Sequence, residues 1–288
     1  VYFVSGATGK TGAEVARRLI AAGKRVRTLT RNAEKATALT AVGVEVMIGD
    51  GADPALLARA LQGVQKLAVI YPNGPDQATL ERLLVEAAVA AKVDHIVKLS
   101  SMEARPEMTN PVHRVHFESE NRIRATGLNW TMIRPNFFMQ NLFGNAPTVR
   151  TQGKFFLPFG SGAAAMTDTR DVAEVIALVL GGNGGANHAH QVYEITGPEV
   201  LTFAEVAQRF SAVLGRRVEY VDQDPEAYRK HLAQFLKSAW HLDAVCAIFK
   251  EIREGYVTPT TDTFQKLMGR APTAFQTFVS DHRALFGG

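Results

Sequence analysis

Val1-Tyr2-Phe3-Val4-Ser5-Gly6-Ala7-Thr8-Gly9-Lys10-Thr11-Gly12 runs from an apolar tetrad, through three glycines at three-residue steps, into an Ala/Arg/Leu-rich helical pattern. A strand that ends in a glycine turn at a helix N-terminus is the anion cradle of a dinucleotide-binding unit. Gly6 is expected to make the tight turn, Gly9 to let the main chain approach a pyrophosphate, and Gly12 to let helix and strand pack closely. Thr8, Lys10 and Thr11 complete the expected cofactor loop. Gly9-Lys10-Thr11 imitates the end of a nucleoside-triphosphate loop, but that motif needs a glycine at position 4, which is Val.

Outward from this unit, apolar runs alternate with helical patterns. The runs are Val26 to Leu29, Val44 to Ile48, Leu67 to Tyr71, His95 to Leu99 and Trp130 to Ile133. Between them, stretches such as 12 to 22, 55 to 62, 76 to 91 and 114 to 126 repeat apolar residues at steps of three and four. Such alternation predicts right-handed crossovers and a doubly wound parallel α/β sheet, the NAD(P)-binding Rossmann arrangement. Beyond residue 150 the pattern loosens into a Gly/Phe/Pro segment, a helix from about Asp168 to Leu180 and a Gly/Asn-rich loop from Gly181 to His190. A strand near Val192 to Ile195 follows, then a helix opening at Thr202, which is spaced as a capping box with Glu205. The expected division is a Rossmann domain over 1–197, with segment 150–165 reaching the cleft, and a smaller α/β domain over 198–288.

The chain has 288 residues, 46% hydrophobic and 21% charged, enough to bury a sizeable core and too apolar for a disordered chain. Its single cysteine, Cys246, forms no internal disulfide. No apolar run reaches membrane-span length and residues 1 to 12 lack signal-peptide character, so a cytoplasmic protein without membrane association is expected. Lys and Arg number 32 against 28 Asp and Glu, a net charge of +4, with acids interrupting the bases; this argues against a nucleic-acid partner.

About twenty residues past the glycine turn, an NAD-binding chain keeps an acid for the ribose hydroxyls. Here the second strand ends Thr28-Leu29-Thr30-Arg31-Asn32. Arg31 stands where a guanidinium forks onto a 2′-phosphate, with Lys35 one turn further on, so NADP(H) is the expected cofactor. Asp50, after the third strand, either accepts from an adenine amino group or caps the next turn.

Carbonyl reductases of this architecture use a Tyr with a Lys four residues later. Here the positions four after the six tyrosines hold Gly6, Pro75, Gly197, Asp224, Leu232 and Thr260. Where the pair would fall, the chain carries His116 and Glu120 on one helical face. His113 shares that face, but no fourth ligand is evident and no metal site is assigned.

Gly6-Ala7-Thr8-Gly9-x-x-Gly12, Arg31, Gly49-Asp50, Leu99-Ser100-Ser101, His116-x-x-x-Glu120 and Arg134-Pro135-Asn136-Phe137-Phe138 together resemble the NmrA-like branch of atypical short-chain dehydrogenases. That resemblance implies either of two functions. One is a flavin-free NADPH-dependent reductase of quinones or of azo and triphenylmethane dyes; the other is an NADP(H)-binding redox regulator without turnover. It also implies that the smaller domain walls the substrate cleft.

The loops after parallel strands meet at the carboxyl edge, so Tyr71, Ser100, Pro135 and Phe137 are expected on the cofactor. Met102, Phe138 and Phe155 are expected on a small aromatic substrate, although each Phe can equally be core. His116 is read as a proton donor oriented by Glu120, or else as a helix histidine merely paired with it. Asn136 is the third expected catalytic group. A homodimer, and a protein partner in the regulatory reading, are left open.

Overall fold

The computed structural model describes residues 1–182, 188–256 and 258–288; positions 183–187 of the expected Gly/Asn-rich loop lie outside that set. In chain order the strands are β1 (Tyr2–Val4), β2 (Val26–Thr30), β3 (Glu45–Ile48), β4 (Lys66–Val69), β5 (His95–Leu99), β6 (Asn129–Pro135), β7 (Lys154–Leu157), β8 (Ala163–Ala164), β9 (Gln191–Ile195), β10 (Leu201–Thr202) and β11 (Glu219–Asp222). The central sheet has seven strands in the order β3-β2-β1-β4-β5-β6-β9. Its registers are parallel, with Tyr2 opposite Val26 and Lys66, and Leu99 opposite Ile133. The strand order reverses between β1 and β4, the switch point beside which ligands bind in open α/β sheets.

Helices α1 (Lys10–Ala21), α2 (Ala33–Ala41), α3 (Pro54–Ala60), α4 (Gln77–Ala90) and α5 (Pro111–Arg124) cross between these strands. Their starts are written locally. Asn32 accepts from Lys35 N at 2.8 Å, Asp53 caps α3 with Pro54 at its first turn, and Asn110 caps α5 ahead of Pro111. α2 is absent from the sequence-based expectation because it buries only Ala36 and so shows no apolar stripe. Phe3, Leu67, Val69 and Ile96 from the strands meet Leu57, Leu84, Val85 and Ile123 from the helices in one buried cluster.

The chain divides into two compact units, Val1–Arg134 with Val172–Glu194, and Pro135–Asp171 with Ile195–Gly288. The expected boundary at 197 is therefore corrected: segment 135–171 belongs with the carboxyl-terminal residues. The physical reason is its aromatic core. Phe155 and Phe159 are buried against Phe203, Phe210, Phe275 and Phe286, and β7 pairs in parallel with β11, Phe155 opposite Tyr220. Within this unit the helix Phe203–Leu214 opens with the expected capping box: Thr202 Oγ1 accepts from Glu205 N, and the Glu205 carboxylate accepts from Thr202 N. Among the described residues, no helix is long and apolar enough to cross a membrane.

Candidate active site

Gly6 and Gly12 take the turn and packing places their spacing predicts, with one refinement. Gly6 adopts φ +64, and a Cβ there would stand 2.4 Å from the Ile70 carbonyl oxygen, so Gly6 serves both the turn and the approach to the end of β4. A Cβ on Gly12 would lie 2.3 Å from the Gly6 carbonyl oxygen, which makes Gly12 the contact between helix and loop. Gly9 meets only Gly6 O, at 3.3 Å. α1 begins directly after Gly9 with no side-chain cap and no acid in its first turn. Its first N–H groups and positive dipole end are thus not engaged by a cap or an acid of the helix's own first turn.

Arg31 and Lys35 are exposed, and neither side chain is paired among the described residues. Asp50 Oδ1 accepts from Ala52 N at 3.0 Å, so the turn-capping role is realised. Tyr71 rests its ring on the core of the first unit, and its hydroxyl lies near Gly51. Burial, reinforced by Glu81, pushes its phenol well above the ordinary range, and it stays protonated. An open glycine turn, an uncapped helix N-terminus and two free cations after β2 fit a dinucleotide that carries an extra phosphate.

The end of β5 corrects the expected His116–Glu120 pair. Glu120 is fully buried, and its carboxylate accepts from Ser100 Oγ at 2.6 Å, Arg124 Nη2 at 2.8 Å, Arg134 Nε at 2.9 Å and Arg134 Nη2 at 2.7 Å. Saturated by two guanidiniums and a hydroxyl, it does not orient His116. The imidazole of His116 is instead buried, with Nε2 3.2 Å from Asn73 Oδ1, and burial, then Lys98, then His113, hold it well below its ordinary pKa. A neutral buried ring is a poor proton donor at neutral pH. Ser100 is corrected too, since its hydroxyl turns inward to Glu120, and Met102 is 1% exposed, a core residue rather than a substrate contact.

Four groups here escape the sequence reading. Lys98 Nζ lies 2.8 Å from each oxygen of Glu81, a wholly buried pair that Gln77 also joins. A lysine inside the otherwise apolar run His95 to Leu99 is the signal that could have found it. Glu103, two residues past Ser101, accepts a hydrogen bond from the Ser101 hydroxyl; nothing in the local pattern marks it.

In the second unit, Asn136 donates from Nδ2 to Thr258 Oγ1, and its Oδ1 accepts from Phe137 N at 2.8 Å. Both ends of the amide hold the turn after β6, which corrects its reading as a catalytic group. Phe137 stacks edge-on with Phe159 and Phe203 rather than standing open to a cofactor. Phe155 is 0% exposed and tilts against Phe210 and Tyr220, so it is core and not a substrate wall. Pro135 is buried, and Phe138 is half-buried with its backbone bridged to Thr167.

A switch-point glycine cradle followed by a cationic strand end defines a dinucleotide-binding α/β fold. The NmrA-like family model matches residues 2–278, and the chain belongs to that family. It is 36% identical over 284 residues to an NAD(P)H azoreductase of Xenophilus azovorans, covering 99% of this chain and 98% of that one. It is likewise 36% identical over 293 residues to the (4-alkanoyl-5-oxo-2,5-dihydrofuran-3-yl)methyl phosphate reductase of Streptomyces griseus, covering 98% of each. Among solved structures it matches the NADPH-dependent quinone oxidoreductase of Escherichia coli complexed with NADPH, with a TM-score of 0.85 and 26% identity, over 99% of this chain and 100% of that one.

Proposed function

We propose that this protein, an NAD(P)H-dependent oxidoreductase, passes hydride from NADPH to a quinone or a related electron-poor aromatic acceptor, of the azo or triarylmethyl dye type. The observation that carries the reading is the exposed Arg31, unpaired among the described residues, at the strand end where an NAD-preferring chain keeps an acid. NADPH, when bound, supplies the hydride. Gly6 to Gly12 and the first turn of α1 hold its pyrophosphate, and Arg31 with Lys35 takes the 2′-phosphate.

The acceptor class follows from what the chain lacks. No tyrosine has a lysine four residues on, so an unactivated ketone would find no phenol to protonate its developing alkoxide, help that is typically worth ~10²- to 10⁴-fold. Conjugated acceptors take hydride into an electron-poor π system and depend less on prior protonation. An azo group, a quinone and an acylated unsaturated lactone, named for the relatives above, share that character. The test is NADPH oxidation by the purified protein on addition of a quinone, an azo dye or a triarylmethyl dye. Turnover with at least one is expected; tight NADPH binding without turnover across such a panel would transfer the protein to the regulatory class.

A further inference from the structure

The loop after β5 is pinned at two points. Ser100 Oγ donates to Glu120, and the Ala104 carbonyl accepts from Arg134 Nη2 at 2.8 Å. Between these anchors Met102 points into the core, which leaves Ser101 and Glu103 as the polar side chains of the span. They bond to each other. The Glu103 side chain is 18% exposed, with His113 Nε2 3.9 Å from Oε2. Burial pushes the Glu103 carboxyl up, with Glu194 adding to the shift; Ser101, its own backbone N–H and Arg105 oppose it. Arg134 also feels this carboxylate. His113, buried, is held down to about 4 and remains neutral.

We propose that Ser101 and Glu103 form the proton supply of the reductase, the Ser101 hydroxyl turning from Glu103 to protonate the acceptor atom that becomes anionic and the Glu103 carboxyl, in its protonated form, returning a proton to Ser101 Oγ. The proposal rests on the hydride-transfer reading above and deepens it. Ser101 stands two residues past the end of β5, at the carboxyl edge where ligands bind in such sheets. The balance closes: quinone, NADPH and one proton give hydroquinone and NADP⁺, the proton leaving Glu103, which regains one from water. Azo reduction to the hydrazo compound consumes one proton in the same way. A triarylmethyl cation differs, since cation and NADPH give the neutral triarylmethane and NADP⁺ with no proton taken up.

That difference supplies the test. Wild type, Glu103→Gln and Ser101→Ala are assayed with a water-soluble benzoquinone and with a triarylmethyl dye cation, after NADPH affinity has verified that each variant folds. The expected result is a quinone-to-dye rate ratio about tenfold or more lower in both variants. The quinone kcat/KM of wild type should also fall on an alkaline limb that Glu103→Gln lacks. In the cofactor-free protein, an isotope-edited carboxyl NMR titration should show one glutamate titrating above the ordinary range, absent from Glu103→Gln and moved higher in Ser101→Ala. Quinone and dye rates that fall together, or that do not fall, overturn the proposal and leave the reductase reading standing. Where only the quinone is reduced, the alkaline limb decides; where only the dye is reduced, the proposal falls. A wild type that reduces neither acceptor overturns both.

Discussion

Arg134 grips Glu120 with a two-pronged fork, Nε at 2.9 Å from one carboxylate oxygen and Nη2 at 2.7 Å from the other, at a glutamate with no solvent exposure. The same guanidinium reaches the Ala104 carbonyl, and Glu120 also takes the Ser100 hydroxyl. One ion pair therefore ties α5 and β6 to both ends of the loop that carries Ser101 and Glu103. The residue that occupies the helical position of a catalytic lysine in related architectures is a structural anchor here.

Removing one member of a buried pair strands the other. Glu120→Gln is expected to destabilise the protein by roughly 3–5 kcal/mol, because Arg134 and Arg124 lose their common counter-charge. Urea unfolding of the variant against wild type checks it; a loss under about 1 kcal/mol, the value of an exposed pair, would show that the anchor contributes little.

Arg31→Ala should weaken NADPH binding by about ten- to a hundredfold and leave NADH binding nearly unchanged, since one or two charge-assisted hydrogen bonds contribute on the order of 1.5–3 kcal/mol each. Calorimetric titration of both nucleotides measures the selectivity directly. Equal NADPH affinities for variant and parent would remove the basis for the NADP preference.

The glycines of the turn should separate by role. Gly12→Ala places a methyl 2.3 Å from backbone oxygen, which the loop can relieve only by moving, so a loss of roughly 1–3 kcal/mol together with NADPH binding is expected. Gly9→Ala meets a single atom at 3.3 Å and should fold close to normally while binding NADPH poorly. Thermal unfolding and titration of the two variants distinguish these outcomes.

Acid should unfold the protein through its buried histidines. Burial holds His95 and His113 down to about 4, with Lys66, His188 and His190 adding to the shift at His95. Between the unfolded value of ~6.5 and that lowered value the unfolded chain binds more protons, so stability is lost as pH falls, by up to ~1.4 kcal/mol per pH unit for each group. His113→Gln should flatten the dependence of urea midpoint on pH over this window; an unchanged slope would rule the group out.

The first unit was largely legible from residue order. Apolar runs located β1 to β6, and apolar residues at steps of three and four located α1, α3, α4 and α5, whereas α2 buries only Ala36 and left no stripe to read. The aromatic segment around Phe155 was not. Gly, Phe and Pro read alike as cleft or core, and only the pairing of β7 with β11, some sixty residues later in the chain, decides between them.

Residue order alone determined the parallel α/β architecture, the glycine cradle at the start of α1 and the cation after β2, because each depends on neighbours within about one helical turn of a strand end. Folding in three dimensions determined which polar side chains remain available. His116 and Glu120 sit four apart on one helix as their spacing required, yet Glu120 turns to Arg134 from β6 and to Ser100 from the end of β5, and His116 is left neutral beside Asn73. Burial and the competition among distant charges set a carboxylate's partner, and neither is encoded in the distance between two residues along a helix.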